Sequence, residues 1–410
     1  MFDRIDIGYM RRRMALGGLV LLALACQDLF SAPLDTSEAE GDRLLADGHY
    51  RAAVRALQRA VDQQPESADR YRKLAAAYAK DEQLPEAVAA YQKAIELRTD
   101  YAKARTELAI LLTRLDRHDE AVAMLERAIE LSPSYAWAHM SLGLLHFSKG
   151  RYERASVAYR RAIEVKSDYG EAWYNLGNVR LKKNEYEMAE RAYRQAVTAD
   201  STTAKYRNGL ATSYYRRRDY AAAVIELTRA VQLDSLYARA RFNLGNALLR
   251  SGDKQQGRRQ LDLYRRLEEE EREISSMKNT LLTKPDKAEI YHDMGMVYAR
   301  RGQYQQARIH YQQAIARDSL FAPSHHNLGN IHLRQRKVTE AIESFRRALQ
   351  ADSNYALSYL ALGNAQMRIR QVAQAFATYR QGLAVDPDNA RLRRNAAMAQ
   401  QILSATNKGP

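Results

Sequence analysis

Apolar residues along this chain lie on narrow stripes, recurring at i, i+3, i+4 and i+7 with charged and amide residues between them. That spacing predicts amphipathic α-helices. The stripes themselves repeat. Leu142-Gly143 is followed 34 residues later by Leu176-Gly177, then by Leu210-Ala211 and Leu244-Gly245. Twelve residues after each pair stands a small residue, at Ala155, Ala189, Ala223 and Gly257, and seven further on another, at Ala162, Ala196 and Ala230. A large apolar residue sits between the two small ones at Tyr159, Tyr193 and Leu227.

Carried in both directions, the period gives seven uninterrupted units, 34–67, 68–101, 102–135, 136–169, 170–203, 204–237 and 238–271. It resumes after residues 272–287 with 288–321, 322–355 and 356–389. Each unit reads as two helices, A then B. A Gly or Ala at the eighth position lets helix B approach helix A, the two small residues of helix B let the next unit dock, and Tyr or Leu fills the space between. Gly150, Gly252 and Gly302 mark turns between the helices, and Pro65, Pro133 and Pro387 follow helix B. No unit buries its stripe alone, so neighbours must stack.

These marks resemble the tetratricopeptide repeat, most closely in Glu171-Ala172-Trp173-Tyr174-Asn175-Leu176-Gly177-Asn178. The resemblance implies an all-α superhelical solenoid of about ten helix-turn-helix repeats. Residues 390–406 are expected to be a capping helix that hides the last apolar face, with 407–410 a tail. The interruption at 272–287, after an extended helix B with the run Glu268–Glu271, reads as a connector, either a tolerated surface insertion or a hinge.

In the family, helix A of each unit lines the concave face that meets the partner. On this chain that face carries Asn175, Asn178, Asn243, Asn246, Asn327, Asn330 and Asn364. An amide both donates and accepts, so such a row can pair with the backbone of an extended peptide, as in the asparagine ladder of O-linked N-acetylglucosamine transferases, which it resembles. The alternative is that these amides satisfy local polar groups. A second row ends the A helices: Lys80, Arg114, Lys182, Arg216, Arg250, Arg300, Arg334 and Arg368, interrupted by Ser148. The helix dipole favours cations there, and in succession they could also attract an acidic peptide, anionic glycan or lipid. The fourth unit differs: Trp137, Met140, Leu144 and Phe147 place apolar groups on the groove side, either as an anchor for a partner's side chain or as packing within the array.

The first residues form a separate signal. Arg11, Arg12 and Arg13 precede an uncharged apolar stretch, Met14 to Ala25, too short for a bilayer span of about 20 residues. The arrangement is that of a secretory signal over residues 1–25. Ala25 directly before the only Cys of the chain resembles the lipobox of bacterial lipoproteins, although Ala23 stands where Leu is usual. The resemblance implies acylation of Cys26, a tether at 26–33, and an outer-membrane lipoprotein facing the periplasm.

Composition narrows the classes. A single Cys excludes a disulfide framework or zinc ribbon. His325, His326 and His332 lie close in sequence but point apart with no carboxylate cluster beside them, so they read as half-exposed structural residues. No phosphate loop, nucleophile elbow or HExxH pattern occurs, and no cofactor is expected. The net charge of +15 would suit nucleic acid, but export argues against that partner. The expected function is a non-enzymatic, lipid-anchored scaffold binding other proteins on its concave face. The alternative is a polyanion-handling accessory of exopolysaccharide export that supports an outer-membrane pore.

Overall fold

The computed structural model describes residues 36–406, all of whose regular elements are α-helices. The signal segment, Cys26 and the tail at 407–410 lie outside the described residues. Two compact units emerge. One runs to Ser235 and also takes in Arg250–Gly252; the other comprises Leu236–Leu249 and the residues from Asp253 on.

The first unit holds six A–B pairs: α1 Thr36–Ala46 with α2 Tyr50–Gln63, α3 Ala68–Lys80 with α4 Leu84–Leu97, α5 Ala102–Arg114 with α6 His118–Leu131, α7 Ala136–Ser148 with α8 Tyr152–Val165, α9 Gly170–Lys182 with α10 Tyr186–Ala199, and α11 Ala204–Arg216 with α12 Tyr220–Leu233. After α13 Ala238–Ser251 comes α14 Lys254–Thr283, then α15 Ala288–Arg300 with α16 Tyr304–Arg317, α17 Ala322–Arg334 with α18 Val338–Ala351, α19 Ala356–Arg368 with α20 Val372–Val385, and finally α21 Ala390–Thr406. Helix B is 14 residues long in every pair except the one containing α14, which has 30. The span read from sequence as a connector is therefore helical as far as Thr283, and only residues 284–287 link it to α15.

Packing within a pair follows from residue size. Ala155, Ala162, Ala189 and Ala196 have no exposed surface, and the rings of Tyr159 and Tyr193 lie against the eighth-position glycines. A methyl added to Gly143 would come within 2.5 Å of the Tyr159 ring, so only glycine lets these two helices meet. The A–B turn passes through the left-handed region once per unit. Gly48, Gly150, Gly252 and Gly302 take that position in four units, and Glu82, Asp116, Asn184, Arg218, Arg336 and Arg370 take it in the other six, with φ between 58° and 65°.

A second device recurs at the start of most A helices. The fourth residue of helix A donates to the carbonyl six residues earlier, in the loop leaving the previous helix B. Arg105 reaches Thr99 at 2.9 Å, Trp173 reaches Ser167 at 2.8 Å, Tyr291 reaches Pro285 at 3.1 Å, Tyr359 reaches Ser353 at 3.1 Å and Arg393 reaches Pro387 at 2.9 Å. His139 and His325 use Nε2 for the same bond, at 2.9 Å from Pro133 and Ser319. Four chemically unlike side chains share one task because each carries an N–H or O–H at the right reach. His325 is thus buried, where sequence suggested a half-exposed residue.

Candidate functional site

The sixth, ninth and thirteenth residues of helix A share one face, and the asparagines predicted to read a peptide sit at the first two of these. Several are already engaged within the protein. The Tyr193 hydroxyl donates to Asn178 Oδ1 at 2.8 Å, and Tyr379 donates to Asn364 Oδ1 at 2.9 Å, where Asn395 Nδ2 also arrives at 2.8 Å. Asn178 in turn donates to Asn175 Oδ1 at 3.3 Å. Asn175 and Asn246 donate to the carbonyls of Glu171 and Phe242 in their own helices, at 2.9 and 3.0 Å. Asn243 is half-buried. Asn327 lies near the Tyr311 hydroxyl, whose pKa burial pushes up to about 12 against the lowering influence of that amide. Asn330 differs, because the residue 15 positions on, the spacing that separates Asn178 from Tyr193, is Phe345, which has no hydroxyl to hold. The local role weighed against peptide binding is the one these bonds express for Asn178 and Asn364.

The apolar set of the fourth unit divides. Met140 is 2% exposed and belongs to the core with Ala155, Tyr159 and Val179, so it is packing and not an anchor. Phe147 packs against that core beside Tyr152, and Trp137 is half-buried with its ring edge-on to Tyr135 at 6.1 Å. Leu144 alone of the four is largely open, at 44%. It occupies the ninth position, where Asn178 serves Tyr193, and the enclosed Tyr159 hydroxyl has no partner among the described residues. Burial drives that hydroxyl's pKa well above the ordinary value.

The basic residues ending the A helices are exposed. Arg114 is paired with Glu82 at 2.9 Å and Arg300 with Glu273 at 2.7 Å, while Arg334 lies over the Tyr304 ring at 5.0 Å. Lys182, Arg216 and Arg368 meet no carboxylate among the described residues; Arg250 also projects outward.

The second unit brings predicted and unpredicted residues together. A cavity of about 1090 Å³ opens between the later half of α14 and the groove faces of α15 and α17. Arg300, Asn327 and Arg334 line it, joined by Glu269, Arg272, Glu273, Met277, Asp293 and Met296. Asp293 and Met296 stand at the sixth and ninth positions, where other units have asparagine, so a search for Asn rows passes over them. The contribution of α14 was missed for another reason: its lining residues fall in and beside the span read as connector. The cavity mixes three arginines, three carboxylates and two thioethers, a surface suited to a polypeptide bearing both charge and apolar side chains.

Models of the tetratricopeptide repeat match residues 106–163, 208–267 and 292–356, with further matches at 66–134, 145–184 and 170–202. No curated protein matches the chain with statistical significance. Among solved structures the chain is similar to MamA, at 26% identity over 39% of this chain and 94% of that one, with a TM-score of 0.36. A MamA structure from Desulfovibrio magneticus RS-1 gives 20% identity over 42% and 96%, with a TM-score of 0.38. YrrB, described as a TPR protein with an unusual peptide-binding site, gives 20% identity over 57% and 95%, with a TM-score of 0.28.

Proposed function

Because this chain belongs to the tetratricopeptide repeat family, we propose that it is a non-catalytic scaffold that holds partner proteins on the groove faces of its A helices, tethered to the cell envelope by a lipid on Cys26. The observation that carries the first half is the cavity containing Arg300, Asn327 and Arg334. It sits on the face the family uses for partners, and it offers hydrogen-bond donors and acceptors beside exposed apolar surface at Met296. The tether and the periplasm-facing outer-membrane location rest on the sequence before residue 36 alone.

The test is recovery of partners from detergent-solubilised envelopes. Changing Asn327 and Arg334 together to Ala is expected to lower recovery at least tenfold, about 1.4 kcal/mol, while Ile225→Ala on an exposed face of helix B leaves it intact. Undiminished recovery contradicts the groove assignment. In the same fractions, Cys26→Ser is expected to move the protein out of the membrane pellet; a variant still pelleted and lipid-labelled contradicts the tether.

A second reading, handling of an acidic exopolysaccharide during export, is favoured by the exposed Lys182, Arg216 and Arg368, which meet no carboxylate among the described residues. Such attraction is screened over a Debye length of about 8 Å at physiological salt. Glycan binding that holds its strength from low to high salt would remove it.

A further inference from the structure

The 34-residue period carried backward from Ala288 places residues 270–283, the later half of α14, where a helix B belongs, and Pro285 where Pro65, Pro133 and Pro387 stand. Toward α15 this half-helix behaves as a helix B. Ile274 is 1% exposed against Met294 and Val297, with Met277 and Leu281 beside it, and the Tyr291 bond to Pro285 ties the following pair in the usual way. What it lacks is a helix A of its own, because residues 254–267 are already the helix B that follows α13. The positions that hold fully buried alanines in other units are here Glu273, exposed, and Thr280, half-buried. The 1090 Å³ cavity lies on this open side, walled by Glu269, Arg272, Glu273, Ser276 and Met277.

The other end of the unit shows the reverse. The period places α21 as a helix A: Arg393 makes the loop bond to Pro387, and Leu392, Ala396 and Ala399 pack with Tyr379 and Ala375 of α20. No helix B covers α21 among the described residues, and Ala397, Met398 and Gln401 are exposed, Met398 at 50%.

We propose that α21 of a second copy of this chain fills the vacancy beside α14, completing an A–B pair between molecules. Pairing inside this protein sets the register. The eighth residue of helix A meets the twenty-fourth of the unit, as Gly177 meets Tyr193, and the twelfth meets the twentieth, as Leu249 meets Gly257. The same register brings Ala397 against Met277 and Gln401 against Glu273, a small residue on a large one and an amide donor on a carboxylate. Residues 390–406 include no carboxylate, so the contact sets no like charge against Glu273 or the run Glu268–Glu271 of α14. The contact joins unlike surfaces, so two chains either exchange α21 reciprocally or propagate head to tail.

This contact requires no foreign partner, so its failure leaves the groove reading standing. Sedimentation of the full chain from about 1 to about 100 µM, a range that spans common weak self-association, is expected to show mass rising with concentration. Ala397→Arg and Met277→Arg are each expected to abolish the rise. Ser276→Arg, on the exposed wall, reads the same contact without disturbing the apolar seam, and helicity by circular dichroism checks that each variant folds. An equimolar mixture of Ala397→Arg and Met277→Arg chains is expected to associate again, because one supplies an intact vacancy and the other an intact α21. A wild type monomeric throughout, variants that associate as the wild type does, or a mixture that stays monomeric would each overturn the proposal.

Discussion

Tyr159 and Tyr193 occupy the same place in successive pairs and differ only in what meets the hydroxyl. Tyr193 donates to Asn178, whereas Leu144 stands at the equivalent position before Tyr159, whose enclosed hydroxyl has no partner among the described residues. A net hydrogen bond contributes about 1 kcal/mol, and an unmade buried one costs about 1–3 kcal/mol. Tyr193→Phe is therefore expected to lower stability to urea by about 1 kcal/mol, while Tyr159→Phe leaves it unchanged or raises it. Equal losses from the two substitutions would contradict this account of the ninth-position asparagines. The sequence showed the Gly, Ala and Tyr positions plainly, because size alone selects them. It did not show that Asn178 and Asn364 serve tyrosines, because donor and acceptor lie 15 residues apart on two helices. The left-handed turn was legible at Gly150, Gly252 and Gly302 but not at Arg218, Arg336 or Arg370. Hairpin closure imposes that conformation there, and nothing in an arginine side chain announces it.

Among the elements, α14 departs furthest from expectation. From Arg258 onward no proline interrupts the run before Pro285, and Glu, Arg, Leu and Met are good helix formers, so the 16 extra residues extend a helix of 30 residues, about 45 Å long. Residues 272–287 read as a connector, but Ile274, Met277 and Leu281 supply a stripe that packs on α15, and packing decides. A different link joins the A helices of the second unit. His292 Nδ1 lies 2.9 Å from Ser324 Oγ, and His326 Nδ1 lies 2.9 Å from Ser358 Oγ. Burial lowers His326 from the usual 6.5 to about 4, and burial lowers His292 as well. For a histidine held neutral by the fold, the stability contribution is complete above about pH 6.5 and is lost as the pH falls toward about 4, where the unfolded chain binds the proton first. Thermal melts should therefore show destabilisation across that window, and His326→Phe should flatten it. An unchanged slope would show that this ring does not carry the acid sensitivity.

At the scale of the whole molecule, the period made the all-helical repeat fold legible because each unit repeats one solution to one packing problem. The candidate site was half legible. Arg300, Asn327 and Arg334 came from position within the unit, while Asp293, Met296 and the α14 wall depart from the repeating pattern and show only when the helices are assembled. Met140 misled because an apolar residue on helix A was assigned to the groove, where the fold gives it to the core. The most direct measurement is photo-crosslinking in envelopes, with a benzophenone side chain placed at Met296 inside the cavity or at Ile225, 53% exposed on α12. The account predicts a discrete adduct from position 296, with a partner protein or with a second copy of this chain, and none from 225; adducts from 225 alone, or equal yields from both, would contradict it.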